Sequence, residues 1–235
     1  MFTRKTHSVT SNGNEDGIAM PNVHRRTFLK YAGMGAAVLS TGSILSSCNG
    51  EDDTTDGTGV SLGSGDTSVL NYAFALEQLE AAFYTQVILT PYSGISDEEM
   101  SLLTDIRNHE IAHREFFRKA LSTNAIVDLA VDFSSIDFTS RDKVLAAAQT
   151  FEDLGVAAYN GAGKYISTPA YLGLAGKIVS VEARHAAYIR DLVSAGSFSS
   201  NADSNGLDGA KTPADVFAAA GVYIKTRINT NTLPK

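Results

Sequence analysis

The sequence predicts an all-α protein: a four-helix bundle with a long crossover connection and a short fifth helix near its C-terminal end. Three observations predict this class. A pattern of glutamate, tyrosine and histidine occurs twice, at spacings that put its members on single helix faces. Four long stretches carry apolar residues at helical rather than alternating period. Pro91, Pro169 and Pro213 fall outside the helical stretches or in a first turn, where a missing N–H is harmless.

The first helix is expected from about Thr67 to Leu89. Val69, Leu70, Ala73, Phe74, Leu76, Glu77, Ala81, Tyr84 and Val87 give it a wide inner stripe. Pro91 and Gly94 end it. Ser96-Asp97-Glu98-Glu99 reads as a capping box that opens the second helix, which runs to about Leu121. Its apolar face is read as Ile106, Ile111, Ala112, Phe116, Phe117 and Leu121. Residues 122–139 lack a helical pattern. Val131, Phe133, Ile136 and Phe138 punctuate a polar stretch, which reads as a connection packed along the bundle, long enough to cross from one end to the other. Thr139 or Ser140 caps the third helix, to about Ile166. Thr168 and Pro169 cap and start the fourth, to about Ser194. Residues 196–209 read as loop. Thr212-Pro213 opens a fifth helix to about Lys225, which carries no candidate ligand and reads as a packing lid.

Ahead of the bundle, residues 1–47 read as a targeting segment. His24-Arg25-Arg26-Thr27-Phe28-Leu29-Lys30 resembles a twin-arginine export signal. The stretch that follows, Tyr31 to Ser47, is too short and too polar for a lasting transmembrane helix. Leu45-Ser46-Ser47-Cys48 resembles a lipobox, so Cys48 is expected to become the lipidated first residue of the mature protein. Residues 48–66, rich in Gly, Ser, Thr and Asp, read as a flexible tether. The domain plan is therefore signal 1–47, linker 48–66, bundle 67–195 and C-terminal loop and helix 196–235. The expected location is the cell envelope, lipid-anchored on the periplasmic side or at the cell surface.

Charge and cysteine usage exclude several classes. The 235-residue chain carries 19 basic and 26 acidic residues. Without the first 47 residues these fall to 14 and 24, a net charge of −10 against −7 for the whole chain. An acidic domain of this kind does not fit nucleic acid or an anionic lipid surface as the main partner. Cys48 is the only cysteine, so no intramolecular disulfide can form and the fold rests on packing, with metal as a second support.

The duplicated pattern carries the chemistry. Glu77 to Tyr84 is Glu-x6-Tyr, followed by Glu110-Ile111-Ala112-His113. Glu152 to Tyr159 repeats it, followed by Glu182-Ala183-Arg184-His185. The two glutamates that open the motifs lie 33 residues apart in the first copy and 30 in the second, room for one helix, a turn and the next helix. Residues three apart share a helix face, so four helices can supply four carboxylates and two imidazoles to one interior. That is the ligand set of the di-iron and di-manganese carboxylate bundles. Burying so many carboxylates without cations is unfavourable by several kcal/mol each.

Rival readings exist. His109-Glu110-Ile111-Ala112-His113 also spells His-Glu-x-x-His, the zinc-peptidase signature. The second copy has Val181 where the leading histidine would stand, so only Glu-x-x-His is shared. On the first helix, Glu80 competes with Glu77. Overlaying the copies sets Glu80 opposite Gly155 and Glu77 opposite Glu152, which favours Glu77 and keeps Glu80 as the alternative. Tyr84 and Tyr159 read either as core tyrosines with satisfied hydroxyls or as hydrogen-bond donors to the ligand carboxylates. His109, one residue off the ligand stripe, reads as structural.

The segments Leu76-Glu77-Gln78-Leu79-Glu80-Ala81-Ala82-Phe83-Tyr84, Phe151-Glu152-Asp153-Leu154-Gly155-Val156-Ala157-Ala158-Tyr159 and Val181-Glu182-Ala183-Arg184-His185 resemble the bacterial ferritin-like domain proteins, in the branch that includes desiccation-related proteins. The resemblance covers roughly residues 68–195. It implies a ferritin-like bundle in which Glu77, Glu110, His113, Glu152, Glu182 and His185 bind two iron or manganese ions. The long second connection and the late fifth helix differ from a cage-forming ferritin, which argues against storage in a hollow shell. The expected functions are ferrous-iron oxidation or removal of oxygen or peroxide. The alternatives are a non-catalytic metal-binding or stress-protective protein and a structural or adhesion module with a structural metal. Expected partners are metal ions, oxygen or peroxide, and the membrane through Cys48, with self-association left open.

Overall fold

The structure, a computed structural model, describes residues 59–235. The twin-arginine segment, Cys48 and most of the tether lie outside the described residues. Five α-helices form the frame: α1 Asp66–Leu89, α2 Asp97–Leu121, α3 Arg141–Ala162, α4 Pro169–Val193 and α5 Pro213–Ala220. Short 3₁₀ turns extend α2, α3 and α5 at Ser122–Asn124, Gly163–Tyr165 and Gly221–Tyr223. The third and fifth helices therefore stop earlier than expected, and their last turns tighten. No strand forms among the described residues; Val60 bridges Ile228 and Val131 bridges Ile224 as isolated pairs.

The chain direction follows from two contacts. Tyr84 on α1 reaches Glu152 on α3, and Tyr159 on α3 reaches Glu77 on α1. The order of contacts is reversed along the two helices, so α1 and α3 are antiparallel. A short turn makes α2 antiparallel to α1 as well. Hence α3 starts at the end of the bundle opposite to where α2 stops, and residues 125–140 must run the bundle's length. They do so as a packed strap. Phe133 and Phe138 lie 5.7 and 5.9 Å from the Phe83 ring. Asn71, buried on α1, accepts from Ile126 N–H (3.0 Å) and donates to the carbonyls of Leu62 (3.1 Å) and Asn124 (2.8 Å). Gln78 accepts from Leu129 N–H at 2.8 Å.

This strap changes the character of α1. A single inner stripe was expected, yet α1 is buried on nearly every side from Ser68 to Tyr84. The strap and α5 cover the face that α2 and α3 leave; Phe217 of α5 packs 5.7 Å from Tyr72. Buried nearly all round, α1 is the core helix of the bundle, and its polar residues Asn71, Glu77, Gln78 and Glu80 are buried with the apolar ones. On α2 the opposite correction holds. Leu103, Ile106, Glu110, Phe117 and Leu121 are buried, while Ala112 is exposed and Ile111 only half-buried. The inner face is set by Glu110 and His113, and the two residues between them point sideways.

The caps are partly as expected. Ser96, Ser140 and Thr212 accept from Glu99, Lys143 and Asp215 N–H. The reciprocal half of the capping box is absent: the Glu99 carboxylate takes the Tyr92 hydroxyl (2.9 Å) and Arg141 instead. Thr168 occupies the N-cap of α4, but its side chain makes no capping hydrogen bond to the helix's first turn. Asp66, from the first turn of α1, accepts instead from the Ser167 and Thr168 N–H groups just ahead of that helix, at 2.7 and 3.0 Å. The segment that enters α4 is thus tied to the start of α1.

Candidate metal centre

Each of the four long helices sends ligands inward at one level. Glu77 comes from α1, Glu110 and His113 from α2, Glu152 from α3, Glu182 and His185 from α4. The four carboxylates are fully buried, His185 is 5% exposed, and His113 is half-buried at its outer edge. Tight small-residue packing admits them. Gly155 stands where α3 meets carboxylates of α1 and α4: a Cβ there would lie 3.0 Å from Glu80 Oε1 and 3.6 Å from Glu182 Oε2.

The ligand atoms converge in two overlapping quartets. One is Glu77, Glu110, His113 and Glu182; the other is Glu110, Glu152, Glu182 and His185. Within each, one atom from every residue lies within 4.8 Å of the others. Atoms on opposite sides of one ion, with bonds of roughly 2.1 Å, stand about 4 Å apart. Glu110 and Glu182 belong to both quartets. Both imidazoles present Nδ1: His113 Nδ1 lies 2.9 Å from Glu182 Oε1 and 3.3 Å from Glu77 Oε2, and His185 Nδ1 lies 2.8 Å from Glu110 Oε1 and 3.5 Å from Glu152 Oε2.

These approaches are close without being aligned hydrogen bonds. Glu77 Oε2, both oxygens of Glu110, Glu152 Oε2, both oxygens of Glu182 and the two Nδ1 atoms are buried and have no hydrogen-bond partner. Buried polar atoms are almost always paired. Eight orphans aimed at common points, all of them oxygen or imidazole nitrogen, fit cations that prefer hard donors.

The tyrosines clasp the cluster crosswise. Tyr84 donates to Glu152 Oε1 at 2.5 Å, and Tyr159 donates to Glu77 Oε1. Each tyrosine thus holds the glutamate of the other copy. One oxygen of Glu77 and one of Glu152 is engaged, and the second is left facing inward. Burial and then the neighbouring carboxylate, Glu152 for Tyr84 and Glu77 for Tyr159, hold both hydroxyls well above the ordinary tyrosine pKa, so they remain donors.

Electrostatics show what the cluster needs. Burial raises Glu77 to about 7 and Glu152 and Glu182 to about 8, against an ordinary 4.5. Burial also presses on Glu110, but the facing imidazoles of His113 and His185 outweigh it and hold that carboxyl at about 2. Burial disfavours both imidazolium ions, yet the carboxylates facing them push His113 up to about 12 and His185 to about 10. Without cations, protons supply the positive charge that so many converging carboxylates require.

Two further residues belong to the centre's surroundings. Glu80 is buried and lies outside both quartets, beside Gly155, with burial and then the Glu182 charge raising its pKa well above the usual range. His109, read from the sequence as structural, does not join His113 in the peptidase manner. Its Nδ1 lies 2.9 Å from His185 Nε2, and the two rings meet edge to edge, with centroids 5.2 Å apart and planes within 8°. The sequence offers one signal for it: it is one of only three histidines after residue 47, and it adjoins a motif.

A bundle of antiparallel helices with a buried Glu/His cluster shared across all four defines a helical carboxylate protein with a candidate metal site. The ferritin-like domain family matches residues 65–195, and the chain belongs to that family. Comparison with curated proteins found no match.

Proposed function

We propose that this chain is an exported, lipid-anchored protein whose bundle holds two iron or manganese ions and oxidises ferrous iron or removes oxygen or peroxide. One observation carries the reading: two quartets of orphaned oxygen and nitrogen atoms share Glu110 and Glu182. Glu77 with His113 would hold one ion, Glu152 with His185 the other, and Glu110 and Glu182 both. Such an ion pair, when bound, can exchange two electrons with oxygen or peroxide. The chain's own residues provide the setting. Fully buried carboxylates keep bulk water out of the cluster. Tyr84 and Tyr159 each engage one oxygen of a terminal glutamate and so direct the other inward. The acidic surface favours cation approach. Export rests on the Arg25-Arg26 segment and anchoring on Cys48; the twin-arginine route, by resemblance, carries folded proteins, which suits a site assembled from four helices.

The test begins with natively exported protein. Elemental analysis should find about two iron or manganese ions per chain. In stopped flow, the reduced di-iron form should be oxidised by oxygen or peroxide faster than free ferrous iron in the same buffer, and Glu77→Ala or Glu152→Ala should abolish the difference. Oxidation at the rate of free iron would leave a metal-binding protein without turnover. One tightly held zinc, unaffected by Glu182→Ala, would overturn the di-metal reading as well.

A further inference from the structure

The two halves of the centre are not equivalent. His185 has a ring partner behind it and His113 has none among the described residues. His185 Nδ1 faces Glu110, Glu152 and Glu182, so this is the nitrogen available to a cation. An imidazole that binds a cation through Nδ1 must carry its proton on Nε2. That Nε2 lies 2.9 Å from His109 Nδ1, which can only be the acceptor, leaving the His109 proton on its own Nε2. The two ring planes lie within 8° of each other with centroids 5.2 Å apart, so the imidazoles meet edge to edge, as a hydrogen bond in the plane of both rings requires, and that bond resists a swing of the His185 ring about χ2. His109 itself is exposed and stands at the mouth of a surface cleft with Asp105, Arg184 and Tyr188, at whose floor lies His185. It is thus available to act on the ligand from outside without belonging to the core.

We infer that His109 is a positioning residue that fixes the tautomer and ring orientation of His185, so that the ion held by Glu152 and His185 binds more tightly than the ion held by Glu77 and His113. The inference rests on the di-metal reading above. Its physical basis is general: the group behind a ligating histidine sets the ring's orientation and basicity, and its removal commonly weakens metal binding 10–100-fold. A neutral histidine in that position, unlike a carboxylate, orients the ligand without adding another negative charge to a cluster already dense in carboxylates.

The experiment titrates the metal-stripped full chain anaerobically with Mn(II), counting free ion by electron paramagnetic resonance. Wild type is expected to bind two ions with unequal affinity. His109→Ala should weaken the tighter ion by about 10–100-fold and leave the other unchanged. His109→Asn, whose Oδ1 occupies the place of Nδ1, should recover the loss to within about 3-fold, an effect that a packing role would not show. His109→Leu, which fills the space without an acceptor, should behave as the alanine variant does and decides the matter if that variant does not fold. Equal loss in the asparagine and leucine variants, or equal weakening of both ions, overturns the inference. Two ions bound by wild type and by His109→Ala with the same affinities overturn it alone, whereas a wild type that takes up no ion overturns the di-metal reading with it.

Discussion

At the scale of the residue, shared membership is the decisive property of the cluster. Glu110 and Glu182 each serve both quartets, while Glu77 and Glu152 serve one each. The substitutions Glu77→Gln and Glu110→Gln are therefore not alike, although both remove one buried carboxylate. Glu77→Gln should leave on the order of one ion per chain and Glu110→Gln none that survives desalting, by elemental analysis of both variants beside wild type. Equal retention in the two would contradict the sharing. Much of this was legible in the sequence, because Glu-x-x-His at i and i+3 is a local statement about one helix face. Which carboxylates are shared was not legible, since that depends on the lateral distance between α2 and α4.

At the scale of the element, the C-terminal segment is held to α3 through a glycine. Lys211 N–H donates to Ala157 O at 2.9 Å, and the Lys211 carbonyl runs so close to α3 that a Cβ at Gly161 would stand 1.8 Å from its oxygen. Backbone cannot yield as a side-chain tip can. Gly161→Ala should destabilise the protein by about 1–3 kcal/mol through overpacking, despite alanine's better helix propensity. In a chain of this size that corresponds to roughly 2–4 °C per kcal/mol in melting temperature. Calorimetry showing a stabilised variant would mean that the segment before α5 is not docked as described. The same scale shows why the strap was harder to read. Phe133 and Phe138 mark it as apolar, but Asn71 and Gln78, which hold it by hydrogen bonds, look like ordinary helix residues until the strap lies over them.

At the scale of the whole molecule, metal, protons and stability are linked. Glu77, Glu152 and Glu182 have folded-state pKa values raised above 4.5, to about 7, 8 and 8. His113 and His185 are raised above 6.5, to about 12 and 10. Raised groups contribute stability that is full below their unfolded values and lost as pH rises through the folded ones. Metal-stripped protein should thus lose stability progressively from about pH 4.5 to about pH 12, through the glutamates first and the histidines later; Glu110, lowered to about 2, adds a loss only in acid below 4.5. Metal binding displaces those protons and strengthens with pH, and a bound ion stabilises only the folded state. The gap in melting temperature between loaded and stripped protein should widen from pH 6 to pH 8, measured in one buffer system at fixed metal concentration. A gap independent of pH would mean that the ions do not replace these protons. Anchoring makes a separate prediction. Cys48→Ala should move the protein out of the membrane fraction, as a soluble or uncleaved form, by fractionation and blotting. Unchanged association would assign the anchor to residues 31–47 instead.

The sequence by itself determined the class: helices long enough to span a bundle, a duplicated ligand pattern, and a connection long enough for a crossover. These are local facts, set by period, spacing and turn chemistry, and they need no knowledge of what lies opposite. What only the tertiary structure decided are the pairings across space. Tyr84 meets Glu152 and Tyr159 meets Glu77, each reaching the other copy. Asp66 of α1 holds the entry to α4 by accepting from Ser167 and Thr168 N–H. Glu80 stays outside the quartets, and His109 stands behind His185. Each depends on how antiparallel helices set their rows against one another, and a displacement of a few ångströms between axes would exchange the partners without altering a single local signal.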